Sequence, residues 1–416
     1  MKKILFISIF CVTLNGFTTF QAFSLEKKSD LTFGITPVQQ TESSPVEFGG
    51  AYALMNATVS NDYITAGGKI YWRLSSAQTA SDLSQKLDIK RAFIRWRPLG
   101  NDVAEISIGK LYSYYLKGNF FQLSEIYTGN SRWGKTGIGA KMQLDGFTVG
   151  LGLPLSESYE NFADSFGVNL AFAYDFSKIA EETPFDLLEL SADFLYAWEK
   201  LSEAEKNTKS EQEIFEAQND FSGTISINYV PTFENPESVV SKMNLATSYS
   251  YNADPYVASA VFKNVWNYKR SDLKKAHLAS VNFRSYFGPI QLIYEMEAGL
   301  SLDSNLTVTE SEEKNGMVPL YAGLQFLIPL EKSAYIDKNG KQRFFFKPQF
   351  FYYAAFDIGN SLKSAQSYEF YPRFYSEIEN WRISAGVDFG YRQNSSQEWN
   401  WDWSIPLYVE YKVRSK

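Results

Sequence analysis

From about residue 30 onward, apolar and polar side chains alternate with a period of two, in segments of roughly ten residues separated by Gly, Asn, Asp, Pro and Ser clusters. The run from Trp381 to Arg392 puts Trp381, Ile383, Ala385, Val387, Phe389 and Tyr391 on one face and Arg382, Ser384, Gly386, Asp388, Gly390 and Arg392 on the other. The last segment repeats this, with Trp399, Trp401, Trp403, Ile405, Leu407, Val409 and Tyr411 set against Asn400, Asp402, Ser404, Glu410 and Lys412. Aromatic residues make up 17% of the chain, yet mean hydropathy is −0.27, so the apolar residues must be interleaved with polar ones. No stretch approaches the roughly 20 uncharged residues that a membrane-spanning helix needs. Strands that show one face to hydrocarbon and the other to water satisfy both facts. The pattern predicts an all-β fold, a transmembrane antiparallel up-and-down β-barrel of about 18 strands, with roughly 16 to 20 as the range.

Turn signals punctuate these segments. Asp145-Gly146 joins two alternating runs, with Ile138, Ala140, Met142 and Leu144 answered by Phe147, Val149, Leu151 and Leu153, and the dipeptide supplies the positive φ of a tight hairpin. Further turns are expected at Pro98 to Asn101, Gly288-Pro289, Asp337 to Gly340 and Glu379-Asn380. Longer polar inserts lie near residues 74–85, 112–133, 155–165, 200–218, 302–316 and 358–367. Short turns alternating with long loops are the outer-membrane arrangement, the short ones periplasmic. The alternation slips phase between residues 160 and 240, which predicts one strand missed or falsely counted there. The segment 201–218, LSEAEKNTKSEQEIFEAQ, is the one strongly helical composition and reads as a solvated outer loop with a short helix.

The first 24 residues carry Lys2 and Lys3, an apolar run from Ile4 to Leu14, and Ala22 and Ser24 before a cleavage point, the layout of a secretory signal peptide. Residues 25–416 are then expected to form a single outer-membrane barrel domain. Cleavage removes Cys11, the only cysteine, and takes the net charge from −7 to −9. Neither disulfides nor nucleic-acid binding fit such a chain.

Few chemical motifs survive scrutiny. Gly129 to Thr136 has the spacing G-x-x-x-x-G-K-T of a phosphate-binding loop, but the following GIGAKMQL reads as strand where that chemistry needs a helix. His277 is the only histidine, so any Ser-His-acid site must use it. It shares a face with Ala279, Val281 and Phe283, with Ser280 on the other. We expect an interfacial residue, no enzyme activity, no metal and no cofactor.

The inward charges carry more information. Period two puts Arg91, Phe93, Arg95 and Arg97 on one face, opposed by Ala92, Ile94 and Trp96. Acidic candidates for the same lining are Glu189, Asp193, Glu295, Glu297 and Asp388, and further basic ones are Arg284, Lys347, Arg373, Arg382 and Arg392. These are the expected pore-lining residues, kept single because a water-filled lumen hydrates them. Trp381, Tyr391, Trp399, Trp401, Trp403 and Tyr411 are the expected lipid-interface aromatics.

This arrangement resembles general bacterial porins, in which a basic wall faces acidic residues across a constriction formed by an inward-folded loop. The resemblance implies that the insert 112–133 is that loop, presenting Tyr115, Lys117, Phe120, Phe121, Glu125 and Arg132, with a loop wholly outside the barrel as the competing placement. It further implies a place in the bacterial outer membrane, contact with its lipid and lipopolysaccharide, passive diffusion of small hydrophilic solutes, and a homotrimer. Three other readings stay open: a surface adhesin or structural barrel whose outer loops bind a partner, a membrane-embedded hydrolase using His277, and a soluble periplasmic β-rich protein.

Overall fold

The computed structural model describes residues 26–41, 44–47, 50–75, 84–111, 135–154, 165–179, 183–233, 240–253, 276–301, 316–330, 343–358, 364–378, 380–393 and 398–414. In chain order the strands are β1 (Glu26–Thr41), β2 (Gly50–Ser60), β3 (Ile64–Ser75), β4 (Ser84–Trp96), β5 (Ala104–Leu111), β6 (Lys135–Leu144), β7 (Phe147–Pro154), β8 (Ser165–Asp175) and β9 (Phe185–Glu199). They continue as β10 (Asn219–Pro231), β11 (Val240–Ala253), β12 (Ala276–Phe287), β13 (Ile290–Leu300), β14 (Met317–Pro329), β15 (Arg343–Asp357), β16 (Ser364–Ile378), β17 (Trp381–Gly386 with Asp388–Gln393) and β18 (Trp399–Arg414). A four-residue strand, Ser44–Glu47, folds back on the end of β1.

Each strand pairs antiparallel with its chain neighbours, and β1 pairs with both β2 and β18, so the sheet closes into a ring of 18 strands. Closure is what a membrane demands, because hydrocarbon offers no partner for an edge of unpaired N–H and C=O groups. The closing seam has its own lock. Tyr52 of β2 reaches over Gly34 of β1 to donate its hydroxyl hydrogen to Glu410 Oε2 of β18, at 2.6 Å. Any side chain at Gly34 would occupy the space of the Tyr52 ring.

The outward face is the greasy one. Ile94 is 59% exposed and Ile108 56%, whereas Phe93, next to Ile94 in sequence but turned inward, is 7% exposed. The Asp145-Gly146 hairpin is as expected, both residues having positive φ (43° and 83°) in the type I′ manner. The phase slip disappears. The connection 176–184, holding the 3-10 turn Phe176–Lys178, lies at the short-turn end, and residues 254–275, not singled out as a long insert, separate β11 from β12 at the other end.

Two irregularities have local causes. The β3–β4 register shifts between Lys69 and Ile70, so Lys69 pairs with Arg91 and Ile70 with Ile89, with Lys90 as the extra residue. This bulge lets Leu87 and Ile89 point outward although plain alternation from Arg91 would turn them in. β17 breaks at Val387, which donates to the carbonyl of Pro372 at 3.3 Å. Pro372 has no N–H to return the bond, so the ladder is interrupted there.

The segment 201–218 contains helices α1 (Glu203–Lys206) and α2 (Glu211–Gln218). Ser210 caps α2 in a capping box with Glu213, and those hydrogen bonds hold the Glu213 carboxyl below its usual range. The signal-peptide segment lies outside the described residues.

Candidate functional site

The inward wall of the barrel is where the sequence pattern concentrates chemistry. Beginning at β4, Arg91, Phe93, Arg95 and Arg97 all turn inward, and the guanidinium groups of Arg91 and Arg95 flank the Phe93 ring at 4.9 and 5.1 Å. Arg95 Nε lies 3.1 Å from Glu105 of β5, and Arg97 Nε 3.1 Å from Asp102 in the short turn. A cation over a ring face gains from the ring's quadrupole, which fixes these side chains along the wall.

The densest ionic region runs over β15 to β18, in three tiers set by the register. Nearest the short turns, Arg382 contacts Glu377 at 2.7 Å and Glu410 at 3.6 Å, and Arg343 meets Glu377 at 3.2 Å. In the middle, Arg373 makes a two-pronged pair with Asp388, Nε to Oδ1 at 2.9 Å and Nη2 to Oδ2 at 2.5 Å. Its guanidinium also lies between the rings of Tyr371 and Tyr408, at 5.2 and 5.1 Å. Lys347, opposite Arg373 on β15, rests over the Tyr375 ring at 5.6 Å. Toward the long-loop end, Arg392 joins Glu369 at 2.7 Å and Asp402 at 3.3 Å, and Tyr371 donates a short hydrogen bond to Glu369.

These contacts correct two expectations. Arg95, Arg97, Arg373, Arg382, Arg392 and Asp388 are not singly hydrated charges, because neighbouring strands supply partners of opposite sign. Over β15 to β18, basic and acidic residues also stand side by side on one wall. The cause is register: Arg343, Glu377, Arg382 and Glu410 are directly opposed along the ladder, about 5 Å apart, while Arg95–Glu105, Arg373–Asp388 and Arg392–Glu369 are diagonal neighbours within reach of long side chains.

The remaining acidic candidates sit elsewhere. Glu295 and Glu297 lie inward on β13, at 0% and 3% exposure, and Asn282 of β12 donates to Glu295 at 2.8 Å. Eight strands lie between β4 and β13 on either side of the ring of 18, so these two carboxylates stand opposite the Arg91, Arg95, Arg97 column. Glu189 and Asp193 are inward on β9, and Arg284 inward on β12, opposite Asn244 and Ile293 in the ladder.

Over β9 to β12 the inward residues are mostly small. Ser191 and Ser226 hydroxyls lie 2.5 Å apart, Ser248 and Ser280 2.5 Å, and Thr224 and Ser250 2.9 Å. All six are buried.

The expected interface aromatics divide between two ends. Trp381 and Tyr411 meet at the short-turn end with ring centroids 4.5 Å apart. Tyr391 packs against Trp399 at 4.7 Å and Trp401 at 4.4 Å at the long-loop end. Trp403 lies opposite Phe389 on the same outward face. His277 belongs to the outward face too. Its Nδ1 is 2.6 Å from the Tyr249 hydroxyl, and its ring meets Tyr251 edge-on at 5.2 Å, with Ser280 turned inward. Among the described residues no group of three His, Cys, Asp or Glu is arranged to hold a metal ion. Lys135 and Thr136 open strand β6, so no helix follows the G-x-x-x-x-G-K-T spacing. Its earlier residues, like Tyr115, Lys117, Phe120, Phe121, Glu125 and Arg132, lie outside the described residues.

Residue-by-residue reading put Asp402 and Glu410 on a polar face without giving them a role, and missed the counter-charges Glu105, Glu369 and Glu377 and the phenols Tyr52, Tyr371 and Tyr408. Period two could have found Glu369 and Glu377, four positions either side of Arg373.

No protein-family model matches the sequence, and no curated protein matches it at significance. Solved structures do resemble the fold. The Pseudomonas aeruginosa outer-membrane protein OpdK, in a crystal structure with vanillate, matches with a TM-score of 0.54 at 8% identity, covering 94% of this chain and 99% of that one. OccK2 (OpdF) from the same species gives 0.52 at 10%, over 94% and 98%. Acinetobacter baumannii OccAB4 gives 0.50 at 11%, over 95% and 99%. At these identities the likeness is one of fold.

Proposed function

We propose that this protein is a bacterial outer-membrane porin through which small hydrophilic solutes diffuse passively. The observation that carries the reading is the closed 18-strand ring with an apolar outward face and an inward face of ion pairs, phenols and hydroxyls. An outward apolar band needs lipid, and an inward polar one needs water. The Arg91, Arg95, Arg97 column and the Glu295, Glu297 pair stand on opposite strands, so a permeating ion would cross a transverse field that orients and sorts it by charge. In this reading Arg91, Arg95, Arg97, Glu189, Asp193, Arg284, Glu295, Glu297, Lys347, Arg373, Arg382, Asp388 and Arg392 line the path. No covalent step is required, and the protein is not an enzyme. A homotrimer is the assembly to look for by native mass spectrometry.

The test is single-channel recording from detergent-folded protein in a planar bilayer. Discrete conductance steps are expected, and well-folded barrels that stay silent would remove the proposal. Reversing Arg91, Arg95 and Arg97 to Glu should move the reversal potential toward cation preference. Vanillate, the molecule in the OpdK structure, is the first organic solute to add to the chamber.

A further inference from the structure

The outward face is not uniformly smooth. Across β13 to β18 it holds a trough of about 510 Å3. Small residues line its floor, Ala322 and Gly323 of β14 and Gly390 of β17. Phe350, Phe370 and Phe389 rise along it in the hydrocarbon band, with Phe350 and Phe370 stacked at 4.4 Å and 20°, and Phe370 and Phe389 at 6.4 Å and 11°. At the long-loop end the lining changes character. There Tyr352 and Tyr368 stack at 4.7 Å, and Tyr391 and Trp401 close the rim at 4.4 Å. Trp401 is 65% exposed, and it stands at the level where amphipathic rings mark the bilayer interface.

We propose that this trough is a binding site for one acyl chain of a membrane lipid, with the Tyr368, Tyr391 and Trp401 edge at the level of its ester and headgroup. The occupant follows from continuity: the trough lies on the face that lipid covers, and along β15 to β18 its lining passes from phenylalanine to phenol and indole toward the long-loop end, in the same direction as a lipid does. Stacked rings are already rigid, so little side-chain freedom is lost when a chain settles between them. The small floor matters equally, because large outward side chains at those positions would fill the depression. A second outward groove, lined by Leu170, Phe194, Phe221 and Ile225 with Tyr249 and Tyr251, is smaller, at about 320 Å3, and serves as an internal control. The inference needs the outward face to meet lipid and does not need the lumen to conduct, so a barrel silent in planar bilayers could still bear it out.

The test uses the full chain, reconstituted with dipalmitoyl phosphatidylethanolamine, taken into mild detergent and weighed by native mass spectrometry. Wild type should retain one more lipid than Ala322→Phe, which fills the trough from its floor, and Ile225→Phe in the control groove should keep the wild-type number. Equal retention by wild type and Ala322→Phe overturns the proposal, as does equal loss from both variants. An oligomeric mass that disappears in Ala322→Phe would assign the face to a second copy and also overturn it. Should Ala322→Phe fail to fold, wild type labelled with a photoactivatable acyl chain decides. Cross-links concentrated in β14 to β17 support the site, and an even spread around the barrel sinks it.

Discussion

Strands β7 to β12 and strands β13 to β18 are built to the same period, yet they are made of different material. Inward, the first group presents mostly Ser, Thr, Ala, Gly and Asn, bonded hydroxyl to hydroxyl, while the second presents Arg373 against Asp388, Arg392 against Glu369, and the phenols between them. Outward, directly opposed pairs such as Leu151 and Leu170 give way to opposed rings such as Phe350 and Phe370. The difference teaches that a two-residue period specifies only which way a side chain points. What holds the register tight is chosen separately on each side: neutral hydrogen bonds on one, ion pairs and stacked rings on the other.

That contrast breaks most readily at Arg373. Its removal leaves Asp388 half-desolvated and without its two-pronged partner, and Arg373→Ala should cost about 3 to 5 kcal/mol in urea unfolding from lipid vesicles. The double variant Arg373→Met with Asp388→Leu should recover most of the loss, since an apolar pair leaves no buried charge behind. Ser226→Ala on the other side should lose only about 1 kcal/mol, the net worth of a neutral hydrogen bond. Equal losses at the two sites would mean that the two inner walls are energetically alike.

The two halves should agree on one point. Leu170→Arg in the aliphatic region and Phe370→Arg in the aromatic one each place a charge on the lipid face near mid-strand, and each should cost about 2 to 4 kcal/mol. A tolerated arginine at either position would show that lipid does not cover that half.

How much of this was legible in the chain depends on whether a feature is local. The faces of β17 and β18 follow from alternation alone, and Asp145-Gly146 announces its own hairpin. The bulge at Lys90 is invisible without the partner strand, because nothing in Leu87 to Arg91 says where the count skips. Ion pairs are harder still. Arg392 lies 23 residues from Glu369 and 10 from Asp402, and only the register brings all three to one level. The sequence shows three charges on polar faces, and whether they are solitary or paired is a property of the ladder.

At the closing seam a smaller effect is expected. Tyr52→Phe deletes the hydroxyl that reaches Glu410 across Gly34, removing one hydrogen bond to a charged group, worth about 2 kcal/mol. Gly34→Val should lose a similar amount by displacing the same ring, and combining the two changes should add little to either alone. Additive losses would mean that Gly34 serves some purpose other than clearing the path of Tyr52.

The smallest effect tests the outer surfaces against each other. Phe350 and Phe370 are direct cross-strand partners with nearly parallel rings, as Leu151 and Leu170 are direct partners without them. In double-mutant cycles to alanine, the ring pair should show a coupling of about 1 kcal/mol and the leucine pair about 0.3 kcal/mol. Lipid tails can replace a leucine's contacts almost perfectly, so little is lost when one leucine partner is gone. A tail cannot reproduce the quadrupole of an opposed ring, and that residual interaction is what the larger coupling would report. Equal couplings would mean that ring stacking adds nothing in hydrocarbon beyond the contact that any apolar side chain makes.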